Sequence, residues 1–116
     1  MKIRIKDNTL RMRLSQSEVF TMKEQGNISS KTEFIDHTFY YILKTTDTEN
    51  ISATFSDGKI TLEIPLKTIQ EFCSSDQVGF EGESGKVKIL VEKDFVCLDN
   101  SAEDQSDNYP NPNSIC

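Results

Sequence analysis

Cationic side chains near the start of the chain are the residues whose spacing is most informative about chemistry. They alternate with apolar residues on both sides of Asp7-Asn8, a dipeptide typical of a turn. A hairpin closed by that pair would place the cations on one outer face, with like charges directly opposite each other, which destabilises a hairpin. Either the side chains splay into water and protect a sheet edge, or an anion binds between them. We predict an anion- or partner-binding surface made of Lys2, Arg4, Arg11 and Arg13.

Oxygen ligands for a metal ion are concentrated at the other end of the chain. Residues 94–116 carry five acidic residues and no Lys or Arg. Their alternation is similar to that of a calcium loop, but Asp104 stands where an EF-hand needs glycine and Pro110 where it needs glutamate. The EF-hand is therefore excluded, which leaves two interpretations, a solvated acidic tail or a looser metal site. The candidate ligands for that site are Cys97, Asp99, Asp104 and Asp107.

Nucleophilic catalysis has little support in the sequence. A thiol nucleophile needs an imidazole to activate it, and the single histidine, His37, falls in a predicted turn. No nucleophile elbow, P-loop or dinucleotide-binding glycine motif is present. We assign no catalytic residue and no cofactor, and we expect a protein that is not an enzyme. The alternative is a metal- or small-ligand-binding protein, or an enzyme, with its site near Asp94 and Cys97.

Composition narrows the class of protein further. The chain has 116 residues, the length of one domain, and a net charge of -6. No apolar run approaches the ~20 residues of a membrane helix, and the first residues lack the apolar segment of a signal peptide. We therefore expect a cytoplasmic protein whose three cysteines are free thiols.

The elements that must position these residues follow a repeated pattern. Ser15 to Glu18 matches a capping box and Gly26 a helix C-cap, so a helix follows the first hairpin. Strands are then predicted before and after His37. The same order recurs around Asp57-Gly58, the strongest short hairpin signal, and Pro65 suits a helix start.

The two runs superpose at an offset of 50 residues, with Leu10 on Ile60 and Ile28 on Val78. This spacing indicates either two unrelated ββα segments or a duplicated ββαββ unit. We predict a mainly β (α+β) protein, a small barrel or sandwich of two ββαββ halves with two short helices. The alternative is one α+β sheet with both helices on one face and no symmetry. The predicted domain is residues 1–98, with halves at 1–45 and 51–95 and an acidic tail at 99–116.

The predicted core consists of the apolar residues that fall on the inner faces of these elements. They are Ile3, Ile5, Leu10, Met12, Leu14, Val19, Phe55, Ile60, Leu62, Ile64, Ile69, Phe72, Val78, Phe80, Val87, Ile89 and Val91.

Two resemblances bear on the fold. Residues 51–92, with GKITLEIP, IQEF and VKILV, resemble the swapped-hairpin barrel of AbrB-type regulators and antitoxins. In that family two ββαββ units dimerise; here both would lie in one chain, and the resemblance implies nucleic acid as one candidate partner. The stretches KDFVCLDN (residues 93–100) and EDQSDNYPNPN (residues 103–113) resemble the C-terminal signature of a small family of uncharacterised bacterial proteins, which implies no activity.

The expected function is a non-enzymatic interaction domain that uses the basic N-terminal hairpin. Its partner would be an acidic protein segment or the chain's own tail, docked on the hairpin. The net charge of -6 opposes phosphate binding, so we expect no tight binding of duplex DNA. We also expect no association with membranes.

Overall fold

The computed structural model describes residues 1–95, and their elements run in the order ββαββ ββαββ. The first half contains β1 (Lys2–Lys6), β2 (Thr9–Leu14), α1 (Gln16–Gln25), β3 (Asn27–Glu33) and β4 (Thr38–Thr46). The second half contains β5 (Ser52–Ser56), β6 (Lys59–Pro65), α2 (Leu66–Ser74), β7 (Gly79–Ser84) and β8 (Val87–Lys93). The predicted fold class, mainly β with two ββαββ halves and two short helices, is confirmed for this part of the chain.

Each half contributes one hairpin to each of two sheets. The first sheet has the order β1-β2-β8-β7 and the second the order β3-β4-β6-β5. The hairpins are antiparallel, whereas the central pairs β2-β8 and β4-β6 are parallel. Every sheet therefore joins the two halves, so neither half can bury its hydrophobic face alone. The single-sheet alternative is wrong.

Local sequence explains where the elements begin and end. Asp7 and Asp57 adopt left-handed conformations with φ of 50° and 52°, and each starts a two-residue turn. The Ser15 hydroxyl accepts from the Glu18 backbone N–H, and the Glu18 carboxylate accepts from the Ser15 N–H, which completes the predicted capping box. Gly26, at φ 78°, ends α1. Neither helix in residues 1–95 is long and apolar enough to span a membrane.

The halves follow the same path, but not at one constant offset. Strands β1 and β2 match β5 and β6 at an offset of 50, since Leu10 pairs with Ile5 as Ile60 pairs with Phe55. The chain between α2 and β7 is longer than the single residue between α1 and β3. The strand registers therefore match Ile28 to Phe80, and the expected match of Ile28 to Val78 is wrong. Descent of both halves from one duplicated unit stays a prediction.

One core lies between the sheets and the helices. Ten of the predicted core residues are buried, and Met22 and Leu43 join them. Another four, Ile3, Val19, Phe80 and Val87, are partly buried against this core. The prediction is wrong for Ile5, Phe55 and Val78, whose exposed fractions are 57%, 69% and 56%. Ile5 and Phe55 stand at matching positions next to turns, where the edge strands extend beyond the core. Phe80 packs on Phe72 with ring centroids 5.2 Å apart.

The predicted domain end at residue 98 and the tail at 99–116 lie outside the described residues.

Candidate anion-binding surface

Strands β1 and β2 carry the predicted cations on one face. The register places Lys2 opposite Arg13 and Arg4 opposite Arg11, as the sequence predicts, while Ile3 and Met12 face the core. Lys6 extends the same row at the turn end and is exposed. Five cations thus share the outer face of one hairpin.

Two acidic side chains from outside the hairpin lie on this surface. Glu92 in β8 is directly across from Arg13, and its Oε1 lies 3.3 Å from Arg11 Nε and 3.5 Å from Arg13 Nε. Asp94, just after β8, places Oδ2 2.8 Å from Lys2 Nζ. Within residues 1–95, this surface carries five cations and two carboxylates, and we call it the basic face: Lys2, Arg4, Lys6, Arg11 and Arg13 with Glu92 and Asp94.

A small depression lies within the basic face. It has a volume of about 100 Å³ and is lined by Lys2, Ile3, Arg4, Arg11 and Arg13. Since one water occupies roughly 30 Å³ in the liquid, the depression has room for a carboxylate group. Four of its five lining residues are cationic, a combination that suits an anion.

The matching face of the second sheet provides a comparison within the same chain. Opposite positions there are Thr54 with Thr61 and Ser52 with Glu63, as predicted. The two faces share backbone geometry and differ in side-chain chemistry. Cross-strand pairing of like charges is therefore a property of the first hairpin and not a requirement of the fold.

Across the first sheet the charge changes sign. The outer positions of β7 are Glu81 and Glu83, and Glu81 pairs with Leu90 while Glu83 pairs with Lys88. The cationic edge β1 and the acidic edge strand β7 lie on opposite sides of the central pair β2-β8. The outer face of the first sheet is therefore cationic towards β1 and acidic towards β7.

Among the described residues, the histidine and cysteine side chains lie away from the basic face. His37 lies in the β3-β4 turn, where its imidazole covers the backbone of Gly58 so closely that a Cβ there would be 2.4 Å from Nε2. Cys73 lies on α2 and lines a groove of about 710 Å³ beside α1. Burial raises the pKa of the Cys73 thiol, although Lys93 and Lys23 oppose this. A protonated thiol is a poor nucleophile.

The candidate metal ligands Cys97, Asp99, Asp104 and Asp107 lie outside the described residues. Within residues 1–95, no group of three or more His, Cys, Asp or Glu side chains is placed to hold a metal ion. The metal-site prediction therefore rests on ligand type alone.

Comparison with known proteins identifies a family. A model described as a family of unknown function, DUF7009, matches residues 1–113. The chain belongs to this family. Membership of an uncharacterised family is thus confirmed, whereas the C-terminal signature and the AbrB-type resemblance stay predictions. Neither a curated protein nor a solved structure matches the chain.

The acidic part of the basic face was not found from the sequence. Local pattern reveals the hairpin because its strands are neighbours in the chain, but Glu92 reaches Arg13 only through the parallel pairing of β2 with β8. The exchange of hairpins between the two halves is the signal that could have placed Glu92 at the basic face. If two ββαββ units exchange hairpins, β8 must lie beside β2, and the outer row of β8 must then lie next to Arg11 and Arg13.

Proposed function

We propose that this protein is a non-enzymatic interaction domain whose basic face binds acidic segments of proteins. The supporting observation is the direct opposition of Arg4 with Arg11 and of Lys2 with Arg13 on the exposed side of a strand pair. Such pairs cost stability, and the matching hairpin of the same chain avoids them. A partner that supplies carboxylates offsets this cost.

The two carboxylates already present indicate what the basic face accepts. Glu92 lies beside two guanidinium groups at once, and Asp94 meets an ammonium group. Charge-assisted hydrogen bonds of this kind are about twice as strong as neutral ones. A partner would extend this pattern towards the edge, where Arg4 and Lys6 are exposed.

The chain's own C-terminal segment is the proposed partner in cis. Residues 99–116 hold four acidic residues and no Lys or Arg. The described part of the chain ends one residue after Asp94, whose carboxylate contacts Lys2 on the basic face. In cis, the local concentration of the segment would exceed that of a free peptide. It would compete with acidic partners in trans.

Nucleic acid is a weaker candidate partner. The acidic side chains of the basic face and the net charge of -6 both oppose a polyphosphate. Neither helix in residues 1–95 presents a row of cations, so direct readout in a major groove lacks its usual element. We therefore expect duplex DNA not to bind tightly.

The test compares two pairs of substitutions that remove the same charge. R4T/R11T gives the first hairpin the threonine pair found at Thr54 and Thr61, whereas K31T/K59T removes two cations from the second sheet. Exposed pairs of ~0.2–1 kcal/mol each predict that R4T/R11T binds poly-glutamate about 2- to 30-fold more weakly. The measurement is calorimetric titration at low and high salt, since screening weakens such contacts.

K31T/K59T is the control and should bind poly-glutamate as the natural sequence does. Circular dichroism confirms that both variants fold. Equal weakening in both variants would mean that only net charge matters, and the basic face would lose its proposed role.

A further inference from the structure

Strand β1 is an edge of the first sheet. It pairs with β2 alone in the sheet order, and β7 is the opposite edge, with Ile51 packed on its inner face at Gly82. Within residues 1–95, no backbone hydrogen bond from an element other than β2 reaches β1. None of the described strands therefore occupies its outward side.

The hydrogen bonds of β2 establish which groups of β1 point outwards. The carbonyl of Asn8 accepts from the Lys88 N–H at 2.7 Å, and that of Leu14 accepts from the Asp94 N–H at 2.8 Å. Even-numbered residues of β2 thus direct their backbone N–H and C=O groups towards β8, and odd-numbered residues direct theirs towards β1. The odd-numbered residues of β2 pair with Lys2, Arg4 and Lys6 of β1. Consequently Ile3 and Ile5 direct their N–H and C=O groups to the open edge.

The side chains of β1 complete the pattern. Cations occupy the outer face, and Ile3 and Ile5 occupy the inner face, where Ile5 is 57% exposed although it points to the core side. The matching edge strand β5 has the same geometry, with Phe55 69% exposed, but its outer residues are hydroxylated: Ser52, Thr54 and Ser56. The two edges differ in charge and not in shape.

Resting on the proposed function, we propose that an acidic partner binds by adding an extended strand beside β1. Its carboxylates would lie over Lys2, Arg4 and Lys6, and every second side chain would be apolar and cover Ile5. The binding motif is therefore a run of alternating acidic and apolar residues. A second copy of β1 is disfavoured, because it would bring cations against cations.

The first test compares two peptides of identical composition. One alternates Glu and Val over seven residues and starts and ends with Glu; the other has four Glu followed by three Val. Strand addition predicts that the alternating peptide binds the full chain at least about tenfold more tightly. Only this peptide can place its Glu side chains on the cations and its Val side chains on Ile5 while its backbone forms hydrogen bonds with β1. Fluorescence anisotropy of labelled peptides measures both affinities.

Backbone methylation tests the hydrogen bonds directly. In an antiparallel arrangement, the Val residues of the peptide would bond with Ile3 and Ile5, while the Glu amides would face solvent. N-methylation of the Val amides should abolish binding, and N-methylation of the Glu amides should not. Loss confined to the Glu-methylated peptide would indicate a parallel added strand. Equal loss with both peptides, or no loss with either, would overturn strand addition.

Protein variants separate this inference from the proposed function. K2S/R4T/K6S gives β1 the outer residues of β5, and we expect this variant to bind neither peptide. I5T should lower the affinity for the alternating peptide only. If neither peptide binds the natural chain, the proposed function fails. If both bind equally and I5T has no effect, the basic face binds acids by charge alone, and only strand addition is wrong.

Discussion

At the residue scale, Glu18 connects local and long-range structure. One carboxylate oxygen accepts from the Ser15 N–H at 2.8 Å, and the other pairs with the ammonium group of Met1. Partial burial raises the pKa of Glu18, but hydrogen bonds from Met1 and Ser15 outweigh it, so the pKa is lowered overall. One side chain thus closes the capping box and anchors the chain before β1.

The direction of that shift predicts a pH dependence. A lowered pKa means that the charged form stabilises the fold above the pKa of the unfolded chain, and that this contribution is lost as the pH falls through the folded-state pKa. E18Q keeps the capping hydrogen bond but loses the charge. We expect it to be roughly 0.2–1 kcal/mol less stable at neutral pH. The difference should vanish in acid.

Urea unfolding between neutral pH and pH 3, with an untagged N-terminus, measures this effect. E24Q is the matched control, because Glu24 lies on the same helix and is exposed. The assignment would be contradicted if E18Q and E24Q gave equal stabilities at every pH.

At the element scale, turns, caps and hairpin registers could be predicted from the sequence, whereas the strand boundary after the longer connection that follows α2 could not. The Asp57-Gly58 turn, the Ser15 cap and the cross-strand partners of both first hairpins follow from residues close in the chain. The prediction that Val78 is buried is wrong because Val78 belongs to the longer link after α2 and precedes β7. No local pattern indicates which hairpins share a sheet, so the position of Glu92 at the basic face could not be predicted.

At the scale of the whole molecule, the exchange of hairpins explains why charge can be separated. Each sheet joins one hairpin from each half, so the cationic strands β1 and β2 lie beside β8 and β7, where Glu81 and Glu83 form the acidic side. The core is shared and apolar, with no buried charged residue among those described. The outer faces can therefore carry different chemistry while the fold stays the same.

The proposed role of the C-terminal segment belongs to this scale. Deletion of residues 99–116 removes four carboxylates and should expose the basic face to other anions. We expect a lower melting temperature and tighter binding of heparin, measured by thermal unfolding and affinity chromatography. A truncated protein that melts unchanged and binds heparin no better would show that the segment does not occupy the basic face.

Binding of acidic segments at the basic face can be located by an amide chemical-shift titration of the full chain with poly-glutamate. We expect the largest shifts on residues 2–6 and 9–14, little change at the matching residues 52–56 and 59–65, and loss of the effect at high salt. Shifts concentrated on the second sheet or in the groove between the helices would contradict binding at the basic face, as would the absence of any shift at low salt.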